Sequence, residues 1–274
     1  MTALCRRASS LATFSGASLL ALVLLAGSAC AGPAGPHGRG RTGPSEALGH
    51  GHACSRPVFS SSAPFGIWSQ HGYNVYNNMW AEANPPPTGP GSQKLYVCNY
   101  NSWYVMADMP LPGQPTDSVK TYPNVQENFS SVPVHRFSKL ASTFAEHSPP
   151  IGDYEDAFDM WLNGVASAGS NEVMIWNDNH GQRPAGSPEA TADFGGVRYT
   201  VWRTSNSGYI AFVAQHNFTS GTLDILSFYD WLIARGWLPS KTVVDQIDYG
   251  AEICSTGSAP AQFDFTDFSI NPRY

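Results

Sequence analysis

Apolar residues in this chain recur at every second position, a period that belongs to strands rather than helices. Val197, Tyr199 and Val201 alternate with Arg198, Thr200 and Trp202 directly after Gly195-Gly196, a pair suited to a two-residue hairpin turn. Ile210, Phe212 and Ala214 repeat the pattern behind a Ser/Asn/Gly loop at 204–208. Phe263 and Phe265 continue it, and Phe268 and Ile270 follow out of phase, which a bulge at Thr266-Asp267 would explain. Composition agrees. Charged residues make up 13%, half the usual ~25%. With 8 Trp, 12 Tyr, 14 Phe, 26 Gly and 21 Pro, the chain is rich in strand formers and turn residues. One stretch breaks the pattern. Residues 223–238 carry apolar groups at 225, 226, 229, 232 and 233, a helical spacing, with Thr222 or Ser220 to cap and Gly236 and Pro239 to stop it. The expectation is an all-β sandwich carrying one helix.

The N-terminus reads as an export signal over residues 1–31. Arg6 and Arg7 precede an apolar run from Leu19 to Leu25, and the small residues Gly27, Ser28, Ala29 and Ala31 surround Cys30. Free secretion is expected. A lipid anchor at Cys30 is the alternative, though Gly stands where a lipoprotein box favours Leu. Residues 32–53 are Gly- and Pro-rich without hydrophobic period and read as a disordered linker. Its His37, His50 and His52 are expected to be solvated rather than to bind metal. Residues 54–274 then form one domain, with no stretch apolar enough to span a membrane. Removal of the signal leaves Cys54, Cys98 and Cys254. Spacing does not settle connectivity. The expected pair is Cys54 with Cys98, leaving Cys254 a free thiol; a link of either to Cys254 is the alternative. The net charge of −6 offers no hold on nucleic acid or anionic lipid, and a weakly charged, aromatic-rich surface suits an uncharged polymer.

Two carboxylates stand out. In Asn171-Glu172-Val173-Met174-Ile175-Trp176 a strand would place Glu172, Met174 and Trp176 on one face and Val173 and Ile175 on the other. Asp159 shares a face with Trp161 in the same way. Glu252, in Tyr249-Gly250-Ala251-Glu252-Ile253-Cys254, faces away from Ile253. Taken alone, such acids are as readily the solvated outer face of a sheet as a reaction centre.

A resemblance tips that balance. Glu172 to Trp176 resembles the E-[LVI]-M-I-W strand of glycoside hydrolase family 12. Tyr73 to Trp80 resembles that family's Y-x-V-x-N-N-x-W strand, Lys120-Thr121-Tyr122-Pro123 its K-S-Y-P segment, Pro184 to Ser187 its P-I-G-S loop, and Phe212-Val213-Ala214 its S-F-V-A strand. The order is the family's, from about Cys54 to Ile270. The resemblance implies a β-jelly roll of two curved antiparallel sheets, a substrate cleft on the concave face and one outer helix. It implies Glu172 as nucleophile, Glu252 as general acid/base and Asp159 as the acid assisting the nucleophile. Asn78 and Trp80 would hold sugar on the non-reducing side of the cut, and Met174 and Trp176 would line the cleft. Trp103 is a further candidate platform, with a core indole as its other reading. Ile253 and Cys254 stand where many relatives have Pro and an aromatic, and Ala81 follows Trp80 where Gly is usual.

The chemistry implied is retaining hydrolysis of β-1,4-glucan, the two carboxyls ~5–5.5 Å apart, with no metal or organic cofactor. The expected partner is a β-glucan polysaccharide; nucleic acid is not expected, and the enzyme is expected to be a monomer. Asn128 and Asn217 fit the glycosylation pattern but are read as chance matches, the export signal looking bacterial. Two rivals remain: a non-catalytic carbohydrate-binding sandwich, and a xylan- or xyloglucan-directed hydrolase of the same clan.

Overall fold

The computed structural model describes residues 5–6, 52–83, 91–110, 119–205 and 208–274. The export signal, the lipid-anchor motif at Cys30 and nearly all of the linker, with His37 and His50, lie outside the described residues; His52 is exposed.

The domain is a sandwich of two sheets. One has nine strands, running edge to edge as Ser187–Phe194, Val197–Arg203, Tyr209–Ala214, Asn171–His180, Asp153–Leu162, Val243–Ser255, Asn124–Pro133, Tyr73–Tyr76 and Ile67–Gln70. The other has six: Ser220–Asp224, Lys139–His147, Ala261–Arg273, Ser102–Asp108, Ser92–Asn99 and Phe59–Ser61. A two-residue strand, Cys5–Arg6, runs parallel to Gln182–Arg183. This is the expected jelly roll, with one difference. Asn171–His180 and Tyr209–Ala214 pair in parallel, Val173 opposite Ile210 and Ile175 opposite Phe212, so the larger sheet is mixed rather than purely antiparallel.

Alternation decides the packing. Val173, Ile175, Phe158, Met160, Tyr199, Phe212, Ile247 and Tyr249 point between the sheets and meet Phe144, Phe263, Phe265 and Phe268 of the smaller sheet in one continuous core. Each such buried side chain contributes ~1.5–3 kcal/mol of apolar burial. Gly195 and Gly196, both with positive φ, turn Phe194 back onto Val197 as expected. The phase slip in Ala261–Arg273 is a bulge between Phe265 and Asp267.

Three expectations need correction. The helix is shorter than its hydrophobic pattern. It spans Ile225–Ala234, while Ser220–Asp224 pairs as an edge strand with Lys139–His147. Strand pairing satisfies the backbone of 220–224 and so overrides local helical spacing. Asp224 rather than Thr222 or Ser220 stands at the N-cap, and Gly236 at φ +69° ends the last turn, its amide reaching the Ile233 carbonyl at 2.9 Å. Trp103 is no platform. It is fully buried between the sheets and stacks on Phe265 with ring centroids 4.1 Å apart. Cys54 and Cys98 are bonded, as expected, but Cys254 is disulfide-bonded too rather than free. Cys54 and Cys98 are bonded to each other, so neither is its partner.

Candidate active site

The acids lie on the outer face of the nine-stranded sheet. Asp153–Leu162 is the middle strand of three, flanked by the Glu172 strand on one side and the Glu252 strand on the other. Glu172 stands opposite Trp161, and Met174 opposite Asp159, so Glu172 and Asp159 are diagonal neighbours on one face. On the other side Asp248 stands opposite Asp159, Gly250 opposite Ala157 and Glu252 opposite Glu155. The face therefore carries five carboxyls: Glu172, Asp159, Asp248, Glu155 and Glu252. Glu172 is half-buried; the other four are almost wholly covered.

The register does not set Glu172 and Glu252 side by side. Their partners, Trp161 and Glu155, are six residues apart on the intervening strand. The stretch between them is floored by the small pair Ala157 and Gly250. Any approach of the two carboxyls comes from side chains reaching along the face over that pair.

The segment Lys120–Tyr122 closes one flank. The Lys120 amide donates to the Ile253 carbonyl at 2.9 Å, and the Ile253 amide returns a bond to Thr121 at 3.0 Å. The same segment holds the loop bearing Asn78 and Trp80. The Tyr122 amide and the Thr121 hydroxyl donate to the Asn78 carbonyl at 3.0 and 3.1 Å, and the Ala81 amide donates to the Lys120 carbonyl at 3.3 Å. Asn78 and Glu252, far apart in sequence, are thus tied through one short segment. Asn78 sits in the left-handed region (φ +41°), which Asn tolerates. Trp80 opens a short 3-10 turn and remains 43% exposed, leaving an indole available to stack on a ligand.

Tyr122 lies among the acids. Its hydroxyl donates to the Ala157 carbonyl at 3.0 Å. Burial, together with the nearby carboxyls of Asp159, Asp248, Glu252 and Glu155, drives its pKa well above the usual tyrosine range, so it stays a neutral donor. Burial also raises the pKa of Asp248 well above the ordinary carboxyl range. The Gln182 side-chain Nε2 donates to the Glu252 backbone carbonyl at 2.7 Å, fixing the backbone under that acid. Sequence reasoning missed Glu155, Asp248 and this use of Tyr122. The signal for the first two was present: each lies four residues before a named acid, hence on the same face of its strand.

Met174 and Trp176 share the face of Glu172 as expected. They are fully covered, however, by Tyr209, Ala211, Ala157 and Ala185, with Trp202 and Val213 packed alongside. The Trp176 indole N–H points at Met174 Sδ, 3.4 Å away. They make the packed bed beside the nucleophile candidate, not a wall open to a ligand. A cavity of about 880 Å3 lies by the helix and is lined by Phe194, Phe218, Phe228 and Arg273; none of these five acids lines it.

Residues 71–271 match the profile of Glycosyl hydrolase family 12. The chain belongs to that family. Every candidate acid, together with Asn78 and Trp80, falls inside the match. Endoglucanase S of Pectobacterium parmentieri is 24% identical over 226 residues, covering 73% of this chain and 82% of that protein. Xyloglucan-specific endo-beta-1,4-glucanase A of Emericella nidulans is 26% identical over 190 residues, 65% of this chain and 77% of that protein. Among solved structures, the xyloglucanase domain of NopAA from Sinorhizobium fredii, in complex with cellobiose, superposes with a TM-score of 0.69 at 26% identity. The match covers 80% of this chain and all of that one. As a family 12 chain the protein is a glycoside hydrolase by descent. Its five-carboxyl outer face is the candidate site for that chemistry.

Proposed function

We propose that the protein is a secreted, endo-acting retaining hydrolase of β-1,4-linked glucans, with Glu172 as nucleophile and Glu252 as general acid/base. The observation that carries this is the placement of both acids on one outer sheet face, on strands that flank Asp159, within a family 12 domain. Residues 1–31 would direct export and 32–53 would tether the domain.

In the first step Glu172, as carboxylate, attacks the anomeric carbon, and the glycosidic C–O bond breaks. Protonated Glu252 gives its proton to the departing oxygen. In the second, Glu252 removes a proton from water, the water oxygen attacks the same carbon, and the bond to Glu172 breaks. Two inversions return the starting configuration. Asp159, diagonal to Glu172, would accept or share a proton so that the nucleophile is held in place. Trp80 would stack on a sugar ring through its exposed indole face.

A second reading, xyloglucan as the preferred glucan, is favoured by two similar proteins whose names specify that substrate. Reducing-sugar release from carboxymethylcellulose, barley β-glucan, xyloglucan and xylan separates the readings. NMR of fresh product should show retained configuration, and Glu172→Ala should abolish turnover with an unchanged fold. Inverted product, no hydrolysis of any of the four polymers, or a Glu172→Ala enzyme retaining more than about a tenth of kcat (a loss under ~1.4 kcal/mol of barrier) would defeat the assignment.

A further inference from the structure

A second group of acids lies on the inner side of the same strand. Asp156 and Asp178 stand directly opposite each other in the Asp153–Leu162 and Asn171–His180 pair. Asp178 reaches that side because the ladder bulges between Trp176 and Asp178. Strict alternation would have put it with Glu172 on the outer face. Glu146 comes across from the Lys139–His147 strand of the other sheet. One carboxylate oxygen from each of Glu146, Asp156 and Asp178 lies within 4.8 Å of the others. Glu146 is 6% exposed and Asp156 fully buried.

Like charges opposite each other on a ladder repel, and a buried uncompensated carboxylate is costlier still. No lysine or arginine among the described residues acts on these three; His180 acts on Asp178 alone. Asn217 Nδ2 donates to Asp178 Oδ1 at the exposed rim; deeper in, the other neighbours are neutral oxygens. The Ser148 hydroxyl faces Glu146 and Asp156. The Tyr249 hydroxyl, fully buried, lies within electrostatic reach of all three acids and faces the Asn177 carboxamide. Asn177 is itself fully buried and is the extra residue of the bulge. Its Nδ2 donates to the Phe218 carbonyl at 3.0 Å, but its Oδ1 has no hydrogen-bond donor among the described residues. The Tyr249 hydroxyl facing it makes no close hydrogen bond either. Tyr249 thus joins the Asn177 carboxamide to the three acids, and buried oxygens short of donors next to gathered carboxylates form a set that a hard cation would satisfy.

We propose that Glu146, Asp156 and Asp178, with Asn177 Oδ1 and the Ser148 hydroxyl, form a calcium site between the two sheets. Calcium takes six to eight oxygen ligands at ~2.3–2.6 Å, so oxygens across the ion stand up to ~5 Å apart, and a trio within 4.8 Å fits around one ion. Magnesium demands near-ideal octahedral geometry and gives up its waters reluctantly, so a mixed carboxylate and carboxamide cage suits it less. An ion here would pin the two sheets together at the back of the strand that bears Asp159 and Glu155.

The test uses the full chain, stripped with EDTA and returned to calcium chloride, magnesium chloride or neither. Calorimetry should show one calcium bound per chain, a Tm raised by several degrees at saturating calcium, and a smaller shift with magnesium. The paired change Glu146→Gln and Asp156→Asn removes the repulsion with little change of shape. It should melt at or above wild type in EDTA and no longer respond to calcium. Should that pair fail to fold, Asp178→Asn, at the partly exposed rim, should weaken calcium binding at least tenfold. A wild-type Tm identical in calcium and EDTA overturns the site, as does a calcium shift that survives in the folded variants.

Discussion

Gly250→Ala tests whether the Tyr122–Pro123 segment is seated against the Glu252 strand. Gly250 has ordinary φ, so its need for glycine is purely steric. An added Cβ would stand 2.0 Å from the Pro123 carbonyl oxygen and 2.8 Å from Asn124 Cα, well inside the 3.4 Å where ordinary contact begins. Both obstacles are backbone, so no rotamer change relieves them. The strands must part by about 1.4 Å (3.4 less 2.0). Overpacking of this kind costs ~1–3 kcal/mol. The same movement stretches the Ala251 amide bond to Pro123, already 3.3 Å, and the Tyr122 bond to Ala157 at 3.0 Å, worth ~1 kcal/mol each. A total of ~3–5 kcal/mol lowers Tm by roughly 10 °C in a domain of this size. Glu252, two residues on, moves with the strand, so kcat/KM should fall at least tenfold at temperatures where the variant is folded. Gly221→Ala is the control: its Cβ would meet only Phe144 Cε1 at 3.7 Å, and it should cost under ~0.5 kcal/mol. Scanning calorimetry and kcat/KM on barley β-glucan read both. Should Gly250→Ala melt within ~2 °C of Gly221→Ala and keep its activity, the seat described for Tyr122 and Pro123 does not exist.

Trp80→Ala should raise KM about tenfold, a loss of ~1.4 kcal/mol in binding, with kcat and Tm nearly unchanged, because the ring is 43% exposed; a fall in Tm with KM intact would make the indole structural. Asp248 has its folded pKa raised above the ordinary 3.8 by burial, so its contribution to stability is present below pH 3.8 and lost as pH rises through the folded value. Asp248→Asn should therefore gain stability relative to wild type between pH 4 and 8, followed by urea unfolding; a difference that does not vary with pH would contradict this. Glu252→Gln should lose activity on glucans yet still form glycosyl-enzyme from an aryl glucoside with a good leaving group, and azide should restore turnover to give the β-azide. An α-azide product would exchange the roles of Glu172 and Glu252.

Much of this architecture is readable from period two. The strands at Val197–Arg203 and Tyr209–Ala214, the Gly195-Gly196 turn and the slip at Asp267 follow from alternation and turn chemistry, which are local. What failed was what depends on partners distant in sequence. Residues 220–224 carry helix-start chemistry, but an edge position beside Lys139–His147 was vacant, and pairing prevailed. An indole on a strand reads the same whether it faces ligand or core, and Trp103 faces Phe265. Asp178 lies two residues beyond Trp176, so counting places it beside Glu172; one bulged residue sends it to the opposite face. No composition cue marks that bulge. The acids at 155 and 248 needed only the same counting carried two further steps along each strand.

The Asp153–Leu162 strand concentrates the cost of function. Charged residues are scarce in this chain, yet Asp153, Glu155, Asp156 and Asp159 fall within seven positions of one central strand. Three of them are 0–3% exposed. Valine at these positions would pack better and leave no charge to desolvate, since replacing buried ionic groups by apolar ones is often neutral or stabilising. The fold therefore does not account for them, and their distribution over the two faces does suggest a reason. Glu155 and Asp159 face outward, opposite Glu252 and diagonal to Glu172, where glycoside chemistry needs carboxyls held at different protonation. Asp156 faces inward, opposite Asp178 and beneath Glu146, where only protons or a cation can balance the charge. The faces share one backbone, so whatever neutralises Asp156 also fixes the strand that aims Asp159. Calcium on the inner face would then act on catalysis only as a positioning element, through the geometry of the outer acids rather than through contact with sugar.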